Sequence, residues 1–409
     1  MLTRFEVKGF KSLVDVSIDL GAVNIFIGAN GSGKSNLLEA IGLLGAFVSG
    51  GPIFEACRYR GVRAGSPDSF ICQIEFNARS KIFLRATDPR TRYQTELYSI
   101  FDREWATSDE IVEFDGQEIV RSLESEVLIK KGSRTKRLPI STSSSSSTIR
   151  QFVPLYFSLN KNLYQPNNSK LGFEFLSADF FDRLHNFAIF TPNTSQLRGL
   201  QDDIHRVPLG LGGSDLAKAI EEMSQTDPTM IGPFSIDDIT ELIEWADAIS
   251  TNSVDRSADS PVHLRLGDRY MRDGRNAISA LEASEGSLYV LFLLALVGHE
   301  RSPRMFGIDN FDQALHPRLA RELTSMICDQ ILEDGTRQMF ATTHNPLVLD
   351  GLDLLDDRIR LFSVDRDAAG ATQIQRVMVT QELMSKAEEG FSLSRLWTMG
   401  RLGGVPRNF

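Results

Sequence analysis

One eight-residue stretch constrains this chain more than any other. Gly28-Ala29-Asn30-Gly31-Ser32-Gly33-Lys34-Ser35 follows the pattern of glycine, any four residues, then Gly-Lys-Ser. The pattern needs a strand that runs into a tight turn and then into a helix. Glycines let consecutive backbone N–H groups turn toward one point, and the helix N-terminus adds its positive dipole end there. The flanks agree. Val23-Asn24-Ile25-Phe26-Ile27 is a short apolar run suited to a strand buried on both faces, while Leu37, Leu38, Ile41 and Leu44 fall on one side of a helix. In that setting Asn30, Gly31, Ser32, Gly33 and Lys34 cradle phosphates, with Asn36 just behind. Lys34 reaches the outer phosphates of a nucleoside triphosphate, and the Ser35 hydroxyl ligates Mg2+.

A metal beside such a loop needs a carboxylate at the end of a neighbouring buried strand. Met305-Phe306-Gly307-Ile308-Asp309 supplies one, and Asp309 is the expected metal-side residue. Pro317 opens a helix over 318–332, and the strand Gln338–Thr343 then ends at His344-Asn345-Pro346. A histidine at the carboxyl end of a parallel strand is placed to hydrogen-bond a terminal phosphate. A helix over 285–299 precedes these elements, and a strand pair over 358–364 and 373–379 follows them, with a short helix after it. Strands alternating with helices predict an α/β fold.

Composition excludes several classes. The 409 residues are 42% hydrophobic and 24% charged with 26 Phe, enough to bury a sizeable core, so disorder is not the main state. The longest apolar run, 288–297, is about half the ~20 residues a bilayer needs, so no membrane span is expected. Arg4, Glu6 and Lys8 interrupt the first apolar residues, which speaks against a secretory signal. Three scattered cysteines make neither a disulfide framework nor a zinc site and fit a cytoplasmic location. Net charge is −10, so any DNA contact must come from a local patch. Lys130, Lys131, Arg134, Lys136 and Arg137 form such a basic cluster. They stand beside and within a low-complexity stretch from about Gly132 to Arg150, with a serine run at 141–148, which reads as a mobile loop. The expected division is an N-terminal unit over 1–110, an inserted, partly helical lobe over 111–260, and a C-terminal unit over 261–409.

The order of motifs resembles the ABC-type ATPases of the SMC/RecF kind, in the branch of OLD-like and anti-phage ATPases. The resemblance rests on Phe10-Lys11-Ser12-Leu13, on Gly28 to Ser35 with Asn36, and on Ala283-Ser284-Glu285-Gly286-Ser287. It rests further on Ile308-Asp309, on Leu315-His316-Pro317 and on Thr343-His344-Asn345-Pro346. It covers roughly 1–80 and 260–409, and the middle corresponds to the family's variable insertion. The resemblance implies an ABC-type head: a mixed β-sheet with flanking helices, binding ATP and Mg2+. It also implies that Ser284, Glu285 and Gly286 form a signature segment. There Ser284 donates its hydroxyl, and Gly286 allows close approach, to a nucleotide held by a second subunit. A homodimer or higher oligomer around two ATP molecules follows. Only about sixty residues succeed His344, too few for the nuclease domain of OLD-type enzymes, so the effector is expected to be a separate protein encoded nearby.

One position departs from that family. A glutamate usually follows the strand-end aspartate and polarises the attacking water; here it is Asn310. An amide orients a water but accepts no proton, which forfeits general-base help of about 10²–10⁴-fold. Either Asp312 takes over or hydrolysis is slow. The expected function is a dimeric ATP-dependent switch in phage defence. A RecF-like DNA-binding clamp is the alternative. A transporter subunit fits worse, because some 250 residues separate Lys34 from Ser284.

Overall fold

The computed structural model describes residues 1–49, 52–63, 66, 69–74, 81–100, 104–122, 126–131, 134–139, 172–200, 204, 206–253 and 262–404. The strand Val23–Ile27 lies in the middle of a six-stranded sheet. The order across that sheet is Ala188–Phe190, Met305–Ile308, Gln338–Thr343, Val23–Ile27, Ile359–Arg366 and Thr372–Arg376. The first five strands are parallel, and the last is an antiparallel edge. All five residues of the central strand are buried, as its unbroken apolar text requires. Asn24 is the exception in chemistry, and its amide is satisfied. Nδ2 donates to the carbonyls of Gly21 and Met339, and Oδ1 accepts from the Gly21 N–H.

A second, eight-stranded sheet is antiparallel throughout. It runs in the order Leu13–Asp19, Arg4–Phe10, Ile82–Thr87, Thr91–Ile100, Glu104–Phe114, Gln117–Ser122, Glu126–Lys131 and Arg134–Pro139. The helix Lys34–Ser49 lies between the two sheets. One apolar cluster joins Phe5, Val7 and Leu84 of the antiparallel sheet, Leu37, Ile41 and Leu44 of the helix, and Phe26, Phe340 and Phe362 of the parallel sheet. The rings of Phe26 and Phe362 stack across neighbouring strands at 5.0 Å. The sequence predicts one apolar side for this helix, but burial extends round it, to Ala40, Leu43 and Phe47 as well. A sheet on either side leaves no solvent face over most of its length. Each large aliphatic buried there contributes roughly 1.5–3 kcal/mol.

The other face of the parallel sheet carries the helices Glu285–Gly298 and Pro317–Asp334, packed on Val23, Ile25 and Ile27. The apolar run 288–297 forms the buried stretch of the first helix. Among the described residues no helix is long and apolar enough to cross a membrane.

Two features differ from the sequence reading. The strand Glu104–Phe114 runs across position 110 and pairs on both edges, so the antiparallel sheet continues to Pro139 without a break there. Likewise Ala246–Ser253 pairs with Val262–Asp268 across position 260. Alternation gave the strands but could not say which strands share a sheet. Helices lie at Gly172–Asn186, Leu216–Ser224 and Ile236–Leu242. The loop expected from about Gly132 begins instead with a strand, Arg134–Pro139, paired with Glu126–Lys131; the serine run lies outside the described residues.

Candidate phosphate-binding site

Parallel strands bring their carboxyl ends to one edge. Ile27, Ile308 and Thr343 end there together, with Ile27 opposite Thr343 and Ile308 opposite Ala341. The loop after Ile27 depends on two glycines with positive φ. Gly31 (φ 75°) has open space where a side chain would stand, so conformation alone demands glycine. Gly33 (φ 110°) is also crowded: a Cβ there would lie 2.1 Å from Thr372 Oγ1. Lys34 is buried at 5% exposure, and its ammonium donates to the carbonyls of Gly28 (2.8 Å) and Ala29 (2.9 Å). Burial pushes its pKa down from 10.5 to about 8, against the pull of the Asp309 and Asp312 carboxylates.

Asp309 stands one residue beyond its strand and meets Ser35. Oδ1 accepts from Ser35 Oγ at 2.9 Å and from Thr342 Oγ1 at 2.6 Å. Thr342 in turn accepts the Asn310 N–H at 2.9 Å, which fixes the chain as it leaves the strand. Asp312 Oδ1 accepts from Thr343 Oγ1 (2.7 Å) and from the His344 N–H (3.2 Å). One oxygen of the candidate substitute base is thus already engaged. His344 is half-buried, and its pKa is lowered by burial and by Lys34. Asp312, Asp309 and the Gly28 backbone work the other way. A neutral imidazole with one N–H to donate is the result near pH 7.

Asn310 is exposed and adopts φ 59°, the left-handed region where asparagine is enriched. Its carbonyl and that of Phe311 both accept from the Tyr289 hydroxyl, at 3.3 and 3.1 Å. The residue read from sequence as a loss of chemistry therefore also satisfies a backbone requirement.

Ser284 caps the helix Glu285–Gly298. Its Oγ accepts the Ser287 N–H at 3.2 Å, and Glu285 puts an acidic group in the first turn. Ser284, Gly286 and Ser287 line a cavity of about 890 Å³ together with Trp245, Ala314, His316, Arg318 and others, none from the loop 28–35. The structure thus brings Lys34, Ser35, Asp309, Asp312 and His344 together, while the cavity at the signature segment has no residue of the loop 28–35 in its lining.

Several supporting residues escape a reading of motifs. Asn36 Nδ2 donates to Ser12 Oγ (2.8 Å), which stands 2.7 Å from Thr372 Oγ1. Thr372 donates to the Ser32 carbonyl at 2.8 Å. This chain of hydrogen bonds braces the loop from behind, and Asn36 serves it. Arg366 Nε donates to the Gly31 carbonyl at 2.8 Å. Near the far end of the chain, Gly404 lies against Gly28 and donates its N–H to Asp365 Oδ2 at 2.8 Å. Thr342 and Thr343 carried a signal, two hydroxyls ending an otherwise apolar strand. Ser12 lies in a motif already noted, while Thr372 and Gly404 had no local signal.

The donor set fits a nucleoside triphosphate with Mg2+. Ser32 Oγ sits within the loop, buried, and has no hydrogen-bond partner among the described residues. Ser35 and Asp309 offer an octahedral cation two oxygens, which suits a metal otherwise held by phosphates and water. Among the described residues no group of three or more His, Cys, Asp or Glu gathers into a cage for a metal.

A P-loop at the end of the central strand, with an aspartate and a histidine ending strands on the same edge, defines a P-loop ATPase of mixed α/β architecture. The chain belongs to the family described as "AAA domain, putative AbiEii toxin, Type IV TA system", whose model matches residues 23–350. Its backbone also resembles SMC heads. One is the SMC head bound to the C-winged helix domain of ScpA, at 14% identity and TM-score 0.47, covering 94% of this chain and 99% of that one. A second is the SMC head domain from Thermotoga maritima, at 16%, TM-score 0.39, and 92% and 99%. A third is the Pyrococcus furiosus head with an extended coiled coil bound to the C-terminal domain of ScpA, at 14%, TM-score 0.44, and 95% and 98%. No curated protein matches the sequence.

Proposed function

We propose that this ATPase is a slow, ATP-dependent dimeric switch acting in phage defence with a separate effector protein. One observation carries the reading. The loop, Asp309 and His344 gather at one sheet edge, which we read as one half of a site, while Ser284 and Gly286 stand at an exposed helix start whose cavity has no residue of that loop in its lining. Two such halves complete each other when two copies meet head to head, each signature segment facing the other copy's triphosphate.

In each half, Lys34 and the N–H groups of 28–35 bind phosphate, and Ser35 with Asp309 would hold Mg2+. A bound Mg2+ neutralises charge that builds on the phosphate oxygens. Neutral His344 donates to the terminal phosphate and holds it in line. Asn310 orients water without taking its proton, so ground-state binding exceeds transition-state stabilisation and the ATP-bound dimer is long-lived. The family's description, which names a toxin of a type IV toxin–antitoxin system, suits a defence role.

Light scattering with and without ATP tests the reading. Wild type should dimerise on ATP, and Ser284→Arg should remain monomeric while still binding ATP. Dimers that persist in Ser284→Arg would refute it. Phosphate release separately tests the slow step. Wild type should turn over well below the ~10 s⁻¹ typical of enzymes. Asn310→Glu should be faster, and Asp312→Asn should be slower only if Asp312 acts as the base.

A further inference from the structure

The helix start at Ser284 is wired to a tryptophan. Trp245 lies half-buried in the wall of the cavity that Ser284, Gly286 and Ser287 line. Its indole Nε1 stands 3.2 Å from Ser287 Oγ, and Ser287 Oγ stands 2.5 Å from Ser284 Oγ. Ser287 is buried at 5% exposure, whereas Ser284 is exposed.

The direction of the first of these hydrogen bonds follows from the chemistry of the indole. An indole N–H donates and never accepts, so Ser287 Oγ accepts from Trp245. That fills one acceptor site of Ser287 Oγ, and across the 2.5 Å contact either hydroxyl can donate; when a phosphate oxygen takes the Ser284 proton, Ser287 is the donor and Ser284 Oγ accepts. Ser284 Oγ already accepts the Ser287 backbone N–H at 3.2 Å. A hydroxyl oxygen has two acceptor sites, and in that arrangement both are taken. The Ser284 proton is then the group left for an anionic oxygen. An exposed serine is otherwise free to rotate and to present either a proton or a lone pair; Trp245 and Ser287 favour the arrangement that presents a proton.

We infer that Trp245 is a positioning residue for the signature serine, fixing Ser284 as a donor toward an anionic oxygen, the terminal phosphate of a triphosphate held by a second copy. The inference rests on the composite-site reading and deepens it. Trp245 itself touches no phosphate and acts through Ser287. Its peptide is held in turn, because the Trp245 carbonyl accepts from the Arg269 N–H at 3.1 Å. Arg269 also donates to the Ala246 carbonyl, at 2.6 Å.

Trp245→Phe keeps an aromatic ring in the wall and removes only the donor. Ser287→Ala leaves the Ser284 cap intact and removes the relay. ATP-promoted dimerisation of both variants, of the double variant and of Ser284→Arg is measured by light scattering over a dilution series. Each single variant should weaken the dimer by about 10-fold per composite site, hence about 100-fold for two sites, where tenfold corresponds to about 1.4 kcal/mol. The double variant should be no worse than either single one, because all act on one hydroxyl. ATP affinity of the monomer, measured on the same samples, is the reference that a general loss of structure would move. Should the ring change destabilise the fold, Ser287→Ala carries the test alone. Wild-type dimerisation in both single variants, with Ser284→Arg monomeric, overturns the role of Trp245 and leaves the composite site standing. Additive losses in the double variant also overturn the relay. Dimers in Ser284→Arg overturn the composite site and the relay with it.

Discussion

Raising the pH should weaken ATP binding, and the size of the effect follows from Lys34. Its ammonium is buried, which lowers its pKa from 10.5 to about 8. The sign is the reverse of a lysine that gains a partner on folding. Below pH 8 the fold holds a buried charge, at a cost of about 3 kcal/mol. That penalty is relieved as pH rises from 8 toward 10.5 and the lysine becomes neutral. A triphosphate restores the charge, so binding takes up a proton wherever free Lys34 is already neutral. Affinity should be level below about pH 7.5 and fall toward tenfold per unit above pH 8. Between about pH 7 and about pH 9.5 the loss comes to about 30-fold. The phosphates complete their last ionisation below this window and do not contribute. Calorimetric titration in two buffers of different ionisation heat counts the proton directly. Lys34→Arg stays charged across the range and should bind more weakly but without the slope. An affinity constant within twofold to pH 9.5, with no proton uptake, would show that the buried ammonium is not what receives the phosphates.

Gly33→Ala should abolish nucleotide binding, because its Cβ meets Thr372 Oγ1 at 2.1 Å in a backbone with φ 110°. Fluorescent-nucleotide titration checks it, and near-normal affinity would contradict the crowding. Glu39 is 2% exposed, with its two oxygens on Lys11 and Arg63. Glu39→Gln should lose up to about 3–5 kcal/mol in chemical denaturation, as when one partner of a buried ion pair is removed. A loss under about 1 kcal/mol would mean that the surrounding charges relax into water.

What could be read from sequence was what is local. The loop 28–35 is contiguous, and its glycines and lysine announce their chemistry whatever the rest of the chain does. Asp309 and His344 were legible because each ends a strand-like run, and parallel strands end on one edge. The extent of the antiparallel sheet was not legible, since alternation at Glu104–Phe114 says nothing of its partners. Nor were the hydrogen bonds that brace the loop, because Ser12 meets Thr372 only once the edge strand is in place. Asn310 was read as chemistry alone. Its φ of 59° adds a conformational reason for asparagine that no spacing reveals.

The position of Val23–Ile27 also sets a timetable. Its two neighbours, Gln338–Thr343 and Ile359–Arg366, leave the ribosome roughly 300 residues later, and at about 5–20 residues per second that is some 15–60 seconds. Until then the emerging chain has a phosphate loop on an unpaired apolar strand, with neither Asp309 nor His344 to complete it. Fragments that stop before Gln338–Thr343 has been made lack His344 and have no finished nucleotide site. The full set of Lys34, Asp309 and His344 is therefore present only once synthesis has passed His344.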